Sequence, residues 1–205
     1  METVTPPWFD WGVATVTLKG QSKSGDAFLV KELPDGFLVA VIDGLGHGEE
    51  AAVAASKGAE VIAAHAGEGL IPLIRLCHEA LRDTRGAVLS AVWVSARDGS
   101  LAWAGVGNVE GVLFRRDAEA RPACETLLLR GGVVGHHLPA LQAAVLPLVE
   151  GDTIVLATDG VRGDFRTEKR IQQPPQQLAA HLLARYSHGR DDGLVLVGRY
   201  RGGGS

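Results

Sequence analysis

Four acidic positions stand where a strand-like run meets a turn, and together they could support metal-assisted chemistry. Asp26 follows Ser24-Gly25 and leads into Ala-Phe-Leu-Val. Asp43 closes the apolar run Phe-Leu-Val-Ala-Val-Ile and opens Gly44-Leu45-Gly46-His47-Gly48. Asp159 closes Thr-Ile-Val-Leu-Ala-Thr and precedes Gly160, while Asp191-Asp192 runs into Gly-Leu-Val-Leu-Val. A carboxylate at the rim of a buried strand is fixed in place but costly to leave ionised alone. Several meeting at one spot repel each other unless a cation neutralises them. Hard divalent ions such as Mg²⁺ or Mn²⁺ take oxygen ligands from carboxylates, backbone carbonyls and water. Two such ions roughly 3.5–4 Å apart can activate a water and clamp a phosphoryl group in transfer. Glycine directly after such an Asp removes bulk, so that a carbonyl and waters can approach. Taken singly, each Asp also fits a turn or cap, and the Asp-Gly pairs fit tight turns.

The glycine-rich stretch after Asp43 also has the look of a dinucleotide-binding turn. That reading fails on spacing, because Gly-x-Gly-x-x-Gly needs glycine where Glu49 stands. No Lys-Ser/Thr pair supplies a phosphate-binding loop of the Walker type. His47 is the histidine that falls inside a motif; the other histidines show no ligand spacing and read as surface or satisfied-core residues.

Strand-like segments position these residues. Phe9 to Leu18 alternates, with Trp11, Val13, Thr15 and Thr17 on one face. Ala27 to Lys31 and Phe37 to Ile42 read as a hairpin around Pro34-Asp35-Gly36. Ala87 to Ala96 and Leu101 to Phe114 read as a second pair around Arg97-Asp98-Gly99-Ser100. Further strands are expected at Thr126 to Leu129, Ala143 to Leu148, Thr153 to Ala157 and Leu194 to Tyr200. Helices are expected at Glu49 to Ala66, Leu70 to Arg82 and Pro174 to Tyr186, the last opening on prolines that suit a first turn. Hairpin-joined strands with helices inserted in blocks point to an antiparallel α+β layered domain. Arg115 to Pro122 is expected as an exposed loop.

Composition bounds the function. The chain has 205 residues, 46% hydrophobic and 21% charged, which suits one globular domain over 1–200 with a flexible tail at 201–205. A net charge of −4 gives no basic footprint for nucleic acid, although Arg162, Arg166, Lys169 and Arg170 form a local basic group. No run reaches the ~20 apolar residues of a membrane span, and no leader pattern opens the chain. A soluble, cytoplasmic protein is expected. Cys77 and Cys124 lack redox or ligand spacing, and Cys77 reads as a buried structural thiol.

In chain order, Ser24-Gly25-Asp26, Asp43-Gly-Leu-Gly-His-Gly48, Gly105-Val-Gly-Asn108, Thr158-Asp-Gly160 and Asp191-Asp192 resemble the metal-dependent protein phosphatases of type 2C. Within that superfamily they are similar to the small bacterial branch of SpoIIE- and RsbX-like phosphatases. Arg85-Gly-Ala87 and Val106-Gly-Asn-Val109 resemble the RsbX-like members in particular. The resemblance runs from about Gly12 to Arg199. It implies a four-layer α/β/β/α sandwich of two antiparallel sheets flanked by helices, with two divalent ions, Mn²⁺ or Mg²⁺, at one end. It also implies hydrolysis of phosphoserine or phosphothreonine by an activated water, without a covalent intermediate. By position Asp43 would bridge the metals, the Gly44 carbonyl would bind the first, and Asp159 and Asp191 would hold the second. Asp26 and Asp43 are the expected catalytic residues, Asp26 acting through water, and Asp192 is expected to be solvated or to act from behind the ligands.

The chain also departs from the family pattern. Gly25-Asp26 replaces a Glu-Asp pair, Asn108 stands where an Asp is frequent, and Asp164 follows Asp159 by five residues rather than four. The phosphate-binding arginine of the eukaryotic relatives has no counterpart, though Lys19 and Lys23 lie in its region. The resemblance implies a phosphorylated STAS-domain substrate of a stressosome-type module, a monomeric enzyme, and no nucleic-acid or membrane partner. Two alternatives stay open: a catalytically weak binding module for a phosphoprotein or kinase, and a phosphatase of an anti-sigma-factor antagonist.

Overall fold

The computed structural model describes residues 8–117 and 119–202. Among these residues the strands are β1 (Phe9–Val16), β2 (Asp26–Leu33), β3 (Gly36–Gly44), β4 (Ala87–Ser95), β5 (Ser100–Val106), β6 (Glu110–Phe114), β7 (Cys124–Thr126), β8 (Ala144–Pro147), β9 (Thr153–Ala157) and β10 (Gly193–Tyr200). The helices are α1 (Glu49–Ala64), α2 (Leu70–Ala80) and α3 (Pro175–Tyr186). One sheet has the order β1-β10-β9-β6-β7 and the other β2-β3-β4-β5-β8, with every pairing antiparallel.

Successive side chains of a strand point to opposite faces, and three apolar layers follow from that alternation. On β3, Phe37, Val39 and Val41 enter the layer between the sheets. Leu38, Ala40 and Ile42, on the other face, pack under α1 and α2. On β10, Leu194 and Leu196 face the other sheet, while Val195 and Val197 pack under α3. Strands buried on both faces read as near-continuous apolar runs, which β3 and β10 do. The result is the expected α/β/β/α order of layers.

Three expectations are corrected. Leu101 to Phe114 is two strands, not one: β5 pairs with β4, and β6 pairs with β9 in the other sheet. The break falls at Gly107, whose φ of 94° favours glycine, and where a Cβ would stand 2.1 Å from Val88 Cγ1. Apolar residues on both sides of Gly107-Asn108 hide that crossing in the sequence. The strand expected at Thr126 to Leu129 lies earlier, at β7, and the chain then leaves the strand with Leu127 buried between the sheets. Arg115, expected in an exposed loop, has its side chain only 15% exposed, paired with Glu125 and with Asp152 at 2.8 Å. A short 3-10 helix at Gly163–Thr167 had no signal in the sequence. The last three residues of the expected tail lie outside the described residues.

Candidate active site

Register places the first two aspartates. Asp26 and Asp43 are direct cross-strand partners at the ends of β2 and β3. They share a face with Phe28, Val30, Val39 and Val41, which line the layer between the sheets. Both carboxyls therefore point into the mouth of that layer. The second sheet meets them there. Thr158, just past β9, donates its hydroxyl to Asp26 Oδ2 at 2.8 Å and accepts the Leu194 N–H at 2.9 Å. Asp159 and Asp191 flank this point on the turns that end β9 and begin β10.

Asp43, Asp159 and Asp191 line one cleft of about 410 Å³, together with Gly46, Asn108 and Gly132. A larger cavity of about 480 Å³ lies near the β2–β3 turn and Trp93, and holds none of these aspartates. Burial pushes the Asp43 carboxyl up to about 8, helped by the charges of Asp26, Asp159, Asp191 and Asp192. Burial also pushes Asp26 up to about 7; the Thr158 hydroxyl opposes the rise, and the Asp192, Asp159 and Asp191 charges add to it. Acidic groups held this far from their ordinary range mark a site where negative charge is crowded and where a cation is favoured.

Among the described residues, no three His, Cys, Asp or Glu side chains gather tightly enough to hold an ion by themselves. An ion here would need backbone carbonyl oxygen and water besides these carboxylates, as Mg²⁺ commonly does. The donors present are hard oxygens, which fits Mg²⁺ or Mn²⁺ and not a softer metal.

The neighbours of the aspartates were less legible. Asp192, expected to be solvated or to act from behind the ligands, is 3% exposed and so is not solvated. Its two oxygens accept the Leu18 and Gly25 N–H groups, each at 2.7 Å, and so tie the loop between β1 and β2 to β10. Asn108 donates its amide to Asp159 Oδ2 at 2.9 Å, fixing that carboxylate where an Asp would repel it. His188 Nδ1 accepts the Arg190 N–H, so Nε2 carries the proton and donates to the Asp159 carbonyl at 3.0 Å. No spacing announces this contact.

The glycines after Asp43 and Asp159 answer to packing and not to room for a ligand. A Cβ on Gly44 would stand 2.1 Å from the Ala51 carbonyl oxygen, and one on Gly160 1.7 Å from the Asp192 carbonyl oxygen. Asp164 sits outside the cleft, exposed and 3.9 Å from Arg162. His47 is exposed and bonded to the Gln21 amide. Lys23 pairs with Glu49 at 2.6 Å and Lys19 is exposed.

Residues 34–201 match the family described as Stage II sporulation protein E (SpoIIE). The phosphoserine phosphatase RsbX of Bacillus subtilis (strain 168) is 24% identical over 180 residues, 87% of this chain and 88% of that protein. A crystal structure of RsbX in complex with magnesium superposes with a TM-score of 0.82 at 22% identity, over 96% of this chain and 97% of that one. A structure described as "The bacterial stressosome: a modular system that has been adapted to control secondary messenger signaling" gives 0.84 at 30% identity, over 93% and 99%. The catalytic domain of the serine threonine protein phosphatase PstP, in complex with 2 manganese ions, gives 0.71 at 17% identity, over 95% and 99%. No helix of the described residues is long and apolar enough to cross a membrane.

Proposed function

The chain belongs to the SpoIIE family of type 2C metal-dependent phosphatases, and on that premise we propose that it removes phosphate from serine or threonine of a partner protein. The observation that carries this reading is the meeting of Asp43, Asp159 and Asp191, drawn from both sheets, on one cleft beside the Asp26–Asp43 pair. Two Mg²⁺ or Mn²⁺ ions, when bound, would activate a water and neutralise the phosphoryl oxygens. Asp43 would bridge them, with the Gly44 carbonyl on the first ion and Asp159 and Asp191 on the second.

The protein's own groups organise the rest. Thr158 occupies Asp26 Oδ2, which leaves Oδ1 to take a hydrogen bond or a proton from the attacking water. Asn108 holds Asp159 toward the cleft, and His188 holds its backbone. Asp192 fixes Gly25 and with it the approach to Asp26. The glutamate that the family pairs with Asp26 is absent, yet Asp192 Oδ2 lies 3.3 Å from where a Cβ on Gly25 would be. That carboxylate is taken up by backbone N–H groups, so it is the retained Asp43, Asp159 and Asp191 on the cleft that favour an enzyme over a catalytically weak binding module.

The proposed substrate is a phosphorylated STAS-domain protein of a stressosome-type module, whose dephosphorylation would reset a stress-signalling switch. The RsbX relative and the stressosome structure support this choice. In this reading residues 1–200 act as a single, monomeric, cytoplasmic domain without a nucleic-acid or membrane partner. The test is to follow phosphate release from a phosphorylated STAS-domain protein, from a phosphorylated anti-sigma-factor antagonist and from an unrelated phosphoprotein, each with Mn²⁺. Fastest release from the first supports the proposal. Equal rates on all three contradict the substrate choice.

A further inference from the structure

A phosphoryl dianion needs more than metal ions; charge-assisted hydrogen bonds from a cationic side chain usually fix its remaining oxygens. Among the described residues that line the cleft, none is Lys or Arg. One guanidinium nevertheless stands next to it, in a neighbouring pocket that it lines with Glu50, Asp83 and Thr84. Arg85 Nη1 lies 2.7 Å from the point a Cβ on Gly46 would occupy, and Gly46 lines the cleft with Asp43. Gly46 has a φ of 88°, a conformation that favours glycine, so the space the guanidinium uses is built into the backbone.

The backbone on both sides of Arg85 is fixed. The Leu45 N–H donates to the Gly86 carbonyl at 3.0 Å, and Gly44 pairs with Ala87 across β3 and β4. The Thr84 hydroxyl donates to the Leu81 carbonyl at 2.7 Å and accepts the Gly86 N–H at 3.0 Å. The Asp43 turn and the Arg85 turn therefore move as one piece. On its outer side Arg85 pairs with Glu50, the two side chains being 50% and 68% exposed. Exposed pairs of this kind hold weakly, so the guanidinium can exchange Glu50 for a better anion. An arginine presents parallel donors that match phosphate oxygens, which a lysine does not.

We propose that Arg85 is the phosphate-binding residue of this cleft, holding the phosphoryl group of the ester and the phosphate released from it. The inference rests on the phosphatase reading and adds a residue to it.

The test is calorimetric titration of inorganic phosphate into the manganese-loaded protein, native, Arg85→Ala and Arg85→Lys, with kcat and KM on a small aryl phosphate alongside. Arg85 is half exposed, so its truncation leaves the core intact. Arg85→Ala should weaken phosphate binding about tenfold or more and raise KM in parallel, with Mn²⁺ affinity unchanged; Arg85→Lys should recover part of the loss. Phosphate affinity within about twofold of native in Arg85→Ala would overturn the proposal, since an ordinary surface ion pair predicts that result. The two readings fail separately. Phosphate binding that depends on Arg85 without any ester hydrolysis would remove the phosphatase reading alone. Turnover with phosphate binding that ignores Arg85 would remove the Arg85 assignment alone.

Discussion

Asp26 and Asp43 face each other across β2 and β3 as direct register partners, and the Asp26 charge adds to the burial that raises the Asp43 carboxyl. Asp43 stands at about 8 and Asp26 at about 7, against an ordinary value of 3.8. The fold thus brings together two acids that resist ionising together, at the mouth of a layer otherwise filled by apolar side chains.

That pair predicts a pH dependence. Both folded-state values are raised, so the fold binds these protons more tightly than the unfolded chain does. Their contribution to stability is complete below the unfolded value near 3.8 and is lost as pH rises through about 7 and 8. In chelator, the unfolding free energy should fall between about pH 5 and 8, with a slope of up to about 1.4 kcal/mol per pH unit and group, and the melting temperature should fall with it. Mn²⁺ should stabilise more at the alkaline end, where it no longer competes with protons. Thermal melts of the native chain and Asp26→Asn check this; equal slopes in both would count against it.

Asp192 should matter as a clamp. Asp192→Ala leaves the Leu18 and Gly25 N–H groups without their acceptor, at a cost of about 1–3 kcal/mol for each group that stays buried. Denaturant unfolding should show the loss, and hydrogen exchange should speed up at Gly25 first. Unchanged exchange there would show that the loop is held by something else.

Gly160 should tolerate no side chain. Its Cβ direction is filled by the Asp192 carbonyl at 1.7 Å, and that backbone runs directly into β10. Gly160→Ala should cost about 2 kcal/mol or more. Gly131, with nothing within 4 Å of its Cβ direction, is the control, and Gly131→Ala should stay within about 0.5 kcal/mol of native.

Glu168 should set part of the acid sensitivity. Burial pushes its carboxyl up, but the Arg170 N–H, His181 and the Lys169 N–H outweigh burial and hold it down at about 2, against an ordinary 4.5. With a depressed folded value, its stabilisation is present above about 4.5 and fades as pH falls toward 2. Glu168→Gln should lower stability at neutral pH by about 1–3 kcal/mol and flatten the acid limb of a pH titration of stability. An acid limb identical to native would contradict the assignment.

The legible parts of this protein were those with local signatures. Pro34-Asp35-Gly36 marked the β2–β3 hairpin, and the end of the apolar run that follows it placed Asp43 at a strand end. The layer order came with the family resemblance, and the burial of β3 and β10 on both faces agrees with it. What stayed hidden is long-range. The partnership of Asp192 with Gly25 spans 167 residues, and that of Asn108 with Asp159 spans 51. The passage between sheets at Gly107 reads locally as one continuous strand. Arg85 carried a family resemblance but no hint of its place, because the contact with Gly46 exists only once β3 and β4 are paired.

The central claim is that strand-end aspartates hold the ions that drive phosphate release. It is tested most directly by phosphate release from a phosphoserine protein, native against Asp43→Asn, with Mn²⁺ and with chelator. The account predicts release in the native chain with Mn²⁺, abolished by chelator, and reduced by about a hundredfold or more in Asp43→Asn. Equal rates in all four conditions would contradict it.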